Sequence, residues 1–232
     1  ITKAYTVKLT NELSSKHLLK HPFYQAWSAG SLSIKDIQSY ASQYYHHVKA
    51  FPRYISAAHS HCDDIRWRQI LLQNLNDEEM GDDNHPELWA RFAEGLGIDR
   101  SCLNETNPWP STATLVTTFH KCAASSFAEG IGALYAYEHQ IPTIADFKLK
   151  ALNTYYNIQD PRTLAFFEVH RTTDVYHTKA LENILDGLSS DDQALAADAA
   201  NTAALALWNF LDDAMLRACH TQALRSNKLP VT

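Results

Sequence analysis

The sequence predicts an all-α protein, and three observations carry that prediction. Apolar residues recur at the 3.6-residue helical period almost throughout the 232 residues. Gly (7) and Pro (8) are few for this length, so long stretches run without a breaker. No region alternates apolar and polar residues between tight turns, as strands would. The length suits one domain with ample core, and no repeat, low-complexity tract or linker divides it. We expect a single helical domain over 1–232, with about 222–232 as a loosely held tail.

Seven or eight helices follow in order. The first covers roughly 9–28. Ser33, with Asp36 at the capping-box position, opens a helix that runs to about 59. Asp63 or Asp64 opens a third, ending near Gly81. Pro86 suits the first turn of a short helix that stops at Gly95 to Gly97. The stretch 98–110, with Asn107-Pro108-Trp109-Pro110, reads as a loop. Ser111 caps a helix to about 125. Another starts near 127, bends or breaks at Pro142 and resumes to about 156. Asp160-Pro161 opens the next. Ser189-Ser190-Asp191-Asp192 starts the last, which is rich in Ala and Leu.

Ionisable residues interrupt the apolar faces of these helices. His170, Asp174 and His177 are spaced i, i+4, i+7 and share a face with Phe166 and Phe167 before them and Leu181, Ile184 and Leu185 after. Burying such groups unpaired is expensive, and pairing or metal binding relieves it. A single core histidine is more often hydrogen-bonded than metal-bound, and the triplet alone could be a polar network. Two His and a carboxylate on one face also suit iron, manganese or zinc. Glu138 repeats the anomaly beside Phe127, Ile131, Leu134 and Tyr135. Glu78 and His85 complete a set of six, the type from which di-metal sites of helical proteins are built. Gly81 and Pro86 make an unbroken helix from Glu78 to His85 improbable, and Glu79 and Asp82 are rival ligands there. The rest of the acidic run Asp77-Glu78-Glu79 reads as a solvated helix end.

Lys148 also lies in an apolar stripe, with Ile144, Phe147, Ala151 and Tyr155, while Lys150 points away. It either snorkels to water or, if buried, loses its proton and becomes nucleophilic. Of 11 tyrosines, Tyr24, Tyr40, Tyr44, Tyr45, Tyr135 and Tyr137 fall on helices; most should be core residues with a bonded hydroxyl. His46, His47, His59 and His61 have no carboxylate at ligand spacing and read as hydrogen-bonded.

The net charge of −6 and the lack of a basic stripe argue against nucleic acid as a partner. No apolar run approaches the ~20 residues of a membrane span, and no signal peptide is visible. Cys62, Cys102, Cys122 and Cys219 are scattered, without CxxC pairing, and read as reduced thiols of a cytoplasmic protein. There is no Gly-rich phosphate loop and no GxSxG elbow.

His21-Pro22-Phe23-Tyr24, followed by Trp27 and Gly30-Ser31-Leu32, resembles the opening helix of the haem-oxygenase-like superfamily that includes TenA and PqqC. Glu78, His85, Glu138 and His170-x3-Asp174-x2-His177 match the ligand pattern of its di-metal oxidases. Within these the chain is most similar to the CADD-like proteins (chlamydial protein associating with death domains). The likeness spans nearly the whole chain. The resemblance implies a haem-oxygenase-like bundle of about seven helices and two metal ions, Fe/Fe or Fe/Mn. It also implies activation of O2 with an external reductant of unknown identity. It further implies formation of 4-aminobenzoate for folate synthesis at the expense of the protein's own side chains. By position, Tyr24 would supply the ring and Lys148 the amino nitrogen. Tyr40 and Tyr137 match further tyrosines near the metals, whereas position 166 is Phe where some relatives have Tyr. A homodimer is also suggested.

The residue types fit that chemistry. Carboxylates support higher oxidation states, neutral imidazoles hold the metal, and three of each leave two M(II) ions with a small net positive charge. We assign Glu78, His85 and Glu138 to one ion and His170, Asp174 and His177 to the other, with Glu138 as the bridge. Four alternatives stand beside this reading, one of them a non-enzymatic partner-binding role for which the sequence marks no interaction surface. A TenA-like thiaminase would need a cysteine where Tyr135-Ala136-Tyr137-Glu138 stands, and Cys122 is too far upstream. A metal-free PqqC-like protein would not need inward carboxylates. A di-metal oxygenase acting on an external small molecule would keep the ligands and spare Tyr24.

Overall fold

In the computed structural model, residues 4–226 are described. They form eleven α-helices and two 3-10 turns, with no strand among the described residues. The helices are α1 (Ala4–Leu13), α2 (Pro22–Ser28), α3 (Ile34–Ser60), α4 (Ile65–Glu79), α5 (His85–Gly95) and α6 (Arg100–Glu105). They continue with α7 (Pro110–Ser125), α8 (Phe127–Glu138), α9 (Ile141–Tyr156), α10 (Pro161–Gly187) and α11 (Ser190–Ser226). The last helix therefore includes part of the expected tail, and 227–232 lie outside the described residues.

The helix count exceeds seven or eight because helices expected to be continuous are broken, and because one expected loop is helical. The segment 9–28 is interrupted by 3-10 turns at Ser14–Lys16 and Leu18–Lys20. His17 and His21 are extended there, and each accepts a backbone N–H two residues on, from Leu19 at 3.3 Å and Phe23 at 3.0 Å. Pro22 enforces the second break by disfavouring helix at His21. The expected loop 98–110 contains α6, because Asp99 caps it through Ser101 N at 2.8 Å. Helix α7 starts two residues earlier than expected, with Trp109 at the N-cap and Pro110 in its first turn. Ser111 bonds Asp213 at 2.6 Å instead of capping. The break in 127–156 falls at His139 and Gln140, ahead of Pro142 in the first turn of α9.

Helix α1 begins at Ala4, ahead of the expected start near 9, and the remaining starts follow the sequence. Ser33 and Asp36 form a reciprocal capping box, and Asp64, Asn84, Ser126 and Asp160 cap α4, α5, α8 and α10. One apolar core, rich in aromatic rings, runs through the molecule. Helix α8 lies inside it, packed on α3, α7, α10 and α11. Its Gly132 lets α8 and α11 touch backbone to backbone: a Cβ there would fall 2.0 Å from the Ala196 carbonyl oxygen. With α8 so placed, its C-terminal residue Glu138 faces α4 and α10. Between α4 and α5, Gly81 adopts φ +78, and the reversal brings Glu78 and His85 together. No helix among the described residues is long and apolar enough to cross a membrane.

Candidate metal centre

All six expected ligands are buried. They come from four helices: Glu78 from α4, His85 from α5, Glu138 from α8, and His170, Asp174 and His177 from α10. The structure sorts them differently from the sequence-based division. One ligand atom from each of Glu78, His85 and His170 lies within 4.8 Å of the others. His85 Nδ1 sits 2.7 Å from Glu78 Oε2, close but too oblique for a good hydrogen bond. His170 donates from Nδ1 to the Phe166 carbonyl at 2.6 Å, which leaves Nε2 as its free lone pair. The Phe166 ring stacks on the same imidazole with centroids 3.9 Å apart.

The second group centres on His177. Its Nδ1 is 3.9 Å from Glu138 Oε2 and 3.7 Å from Asp174 Oδ1. All three atoms are buried without a hydrogen-bond partner. Three orphaned lone-pair atoms aimed at one another are costly unless a cation or protons lie between them, so this donor set fits a metal ion. The opposite edges of two of these side chains are tied down. Asn74 Nδ2 donates to Glu138 Oε1 at 3.0 Å, and His177 Nε2 meets Asp77 Oδ2 at 3.0 Å. The rival ligands Glu79 and Asp82 are exposed and take no part.

Without a cation, Glu138 and Asp174 hold their protons more tightly than ordinary carboxyls. Burial raises the Glu138 carboxyl to about 7, against the pull of His177 and Asn74. Burial, with Glu138 and Glu78 nearby, pushes Asp174 well above the carboxylate range. Burial keeps His170 neutral, with His85 adding to the effect. Burial opposes a charge on His85 too, but the Glu78 carboxylate outweighs it and raises the group. A divalent cation would displace these protons, so binding should tighten as pH rises.

Lys148 is buried on α9, and its amine is enclosed by six rings. The centroids of Tyr24, Tyr40, Trp27, Tyr44, Phe167 and Trp89 lie 4.8, 4.9, 5.3, 5.5, 5.5 and 5.8 Å from Nζ. Such rings favour a cation, yet burial without a carboxylate partner drives the amine well below its ordinary value. Lys148 Nζ donates to Tyr40 Oη at 2.9 Å, and Tyr40 and Tyr24 share a hydroxyl hydrogen bond of 2.8 Å. Burial also keeps Tyr24 and Tyr40 as phenols. Tyr155, expected on this face, is instead exposed at the end of α9.

A cavity of about 10 Å³ links the two features. Its walls include Tyr137, Ile144, Lys148, Phe166, Phe167 and His170. It has room for about one water-sized molecule. Tyr44, expected only as a core tyrosine, lines the same cavity as Tyr137. A second hollow, of about 170 Å³, opens at the surface between α4 and α10 beside Asn74, Asp77 and His177.

Residues 38–209 match the model of a family described as iron-containing redox enzymes. The chain belongs to that family. Similar members include the 4-aminobenzoate synthase of Chlamydia muridarum, 40% identical over 211 residues that cover 90% of this chain and 89% of the relative. That of Nitrosomonas europaea is 39% identical over 223 residues, 91% of each chain. A CADD-like protein of unknown function from Nostoc punctiforme shares the fold, with a TM-score of 0.77 at 20% identity over 93% of this chain and 97% of its own. The family description agrees with a donor set of carboxylates and imidazoles, which suits iron. The site has features of neither metal-free alternative. Cys122 is buried in α7, away from the cavity walls, and Lys148 is the one basic side chain on them apart from the imidazole of His170.

Proposed function

We propose that this iron-containing redox enzyme forms 4-aminobenzoate from its own Tyr24 and Lys148, using O2 and an external reductant. One observation supports the internal substrate above all others: a buried amine is hydrogen-bonded through Tyr40 to the Tyr24 hydroxyl. Two relatives at about 40% identity carry the name 4-aminobenzoate synthase. The cavity size favours the same reading, because a large external substrate such as a fatty acid needs a pocket of roughly 300 Å³ or more. Room for a single small molecule beside Lys148 suits O2 and little else.

Under this proposal Glu78, His85 and His170 hold one metal ion and Glu138, Asp174 and His177 the other, as Fe/Fe or Fe/Mn. The ions, when bound, supply the activation of O2. The remaining roles belong to the chain. Tyr24 offers a phenol held in a dry aromatic shell. Lys148 presents a neutral amine whose lone pair can bond to the ring carbon that bears the Tyr24 oxygen. Tyr40 lies between the two and can pass a proton from Nζ towards the departing phenol oxygen. The nitrogen would then leave Lys148 by oxidative cleavage of its bond to Cε, with O2 and two electrons from the reductant, so that Cε is left as an aldehyde and the second oxygen atom leaves as water. The Tyr24 side chain would leave by oxidative cleavage between Cα and Cβ: one O2 supplies both oxygens of the product carboxylate, formed at Cβ, and Cα keeps a hydrogen in its place, leaving glycine at position 24. Tyr137, on the cavity wall and next in sequence to the ligand Glu138, would carry oxidising equivalents towards Tyr44 and Tyr40.

A chain that consumes its own residues works once. After anaerobic loading with Fe(II), alone or with Mn(II), and exposure to O2 with reductant, product should plateau at no more than one 4-aminobenzoate per chain. Quantification by liquid chromatography and mass spectrometry checks this. A yield of several per chain would point to an external substrate.

A further inference from the structure

Asp77 lies beside the candidate ligands and is not one of them. It sits in the last turn of α4 with its carboxylate partly exposed at the mouth of the hollow between α4 and α10. Its Oδ2 is 3.0 Å from His177 Nε2. A carboxylate only accepts, so Nε2 carries the proton and donates. A neutral imidazole has one proton, and with Nε2 protonated the lone pair is on Nδ1. Nδ1 is the atom buried without a partner, 3.9 Å from Glu138 Oε2 and 3.7 Å from Asp174 Oδ1. Asn74, one turn earlier on the same face of α4, holds Glu138 through Oε1 and leaves Oε2 pointing into the same space. Helix α4 thus orients two side chains of a group to which it contributes none.

We propose that Asp77 is a positioning residue for metal binding at the Glu138, Asp174 and His177 group. It fixes the Nε2–H tautomer and ring angle of His177, so that Nδ1 faces the ion. The inference rests on the reading that these three residues hold a metal. An outer carboxylate of this kind raises the basicity of the imidazole and holds its ring, and losing one weakens metal binding about 10- to 100-fold. The hollow admits water to the His177 edge, so an aligned anionic acceptor is needed to keep a single tautomer there.

The test is anaerobic titration of the full chain with Mn(II), following free Mn(II) by paramagnetic resonance, in the native protein, Asp77→Ala, Asp77→Asn and Glu138→Gln. Nitrogen-15 spectra of His177 in the metal-free proteins report the tautomer directly. We expect Asp77→Ala to weaken one ion about 10- to 100-fold and to leave the other within about threefold. The His177 signal should move from Nε2–H to a mixture of tautomers. Asp77→Asn, nearly isosteric, should fall between, and it carries the test if the alanine variant does not fold. Native affinity for both ions together with an unchanged tautomer in Asp77→Asn and Asp77→Ala would overturn the inference while Glu138→Gln still loses an ion. Two ions bound at native strength by Glu138→Gln would instead overturn the metal reading on which it rests.

Discussion

Replacing Tyr24 by phenylalanine should abolish 4-aminobenzoate formation, by more than about 100-fold, while metal content stays at the native level. The ring and its packing against Phe23, Trp27 and Tyr40 survive the change. What is lost is one hydroxyl and its 2.8 Å bond to Tyr40, a stability cost on the order of 1 kcal/mol. Lys148→Met should lose product to the same extent for a different reason: the nitrogen source is gone. That variant should be at least as stable as the native chain, because it replaces a buried amine with an apolar side chain of similar length among aromatic rings. Product assay, metal analysis and thermal unfolding on the same samples check both variants. Full activity in either one would remove that residue from the reaction. Loss of metal in Tyr24→Phe would mean that the hydroxyl supports the centre and not the product.

Glu138→Gln is expected to lose at least one of two metal ions and yet to stabilise the metal-free protein above neutral pH. Burial raises this carboxyl from 4.5 to about 7. A group whose folded value lies above its unfolded value favours folding at low pH, and its contribution is lost as pH rises through the folded value. The metal-free native protein should therefore lose stability between about pH 4.5 and 8. Glutamine, which cannot ionise, should escape that loss, for a gain of about 1–3 kcal/mol at pH 8 and little at pH 4. Denaturant unfolding of both metal-free proteins at the two pH values checks this. Equal stability at pH 8 would mean that the carboxylate is already satisfied without a cation. A site that destabilises its own empty form is the expected signature of residues kept for binding.

Much of the candidate site was legible in the sequence because burial of ionisable groups leaves a local trace. His170, Asp174 and His177 break an apolar helical stripe, and Lys148 does the same on α9, so period and chemistry alone single them out. Tyr24 leaves no such trace, since a buried tyrosine is ordinary. Its partner Tyr40 lies on another helix, and the amine that completes the array is 108 residues from Tyr40. Only tertiary approach brings them together. Asp77 was hidden for the opposite reason. It sits in an acidic run that looks like a solvated helix end, and only the turn at Gly81 and the packing of α4 on α10 reveal its contact with His177. Asn74 was legible in principle, one turn before Glu78 on the same face. The grouping of the ligands was not, because His85 and His170 meet through the approach of α5 and α10. In the fold, helix starts with a capping side chain were read well. The breaks at His17 and His21 were not, because histidine acting as an N-cap is an uncommon signal.

The most direct measurement is isotope tracing. The protein is produced with ring-carbon-13 tyrosine and side-chain nitrogen-15 lysine, loaded with metal without oxygen, and then exposed to O2 and reductant. The account predicts 4-aminobenzoate carrying six labelled carbons and one labelled nitrogen, with matching loss of the Tyr24 side chain from the corresponding peptide. Unlabelled product, or an intact Tyr24 after product has formed, would contradict it.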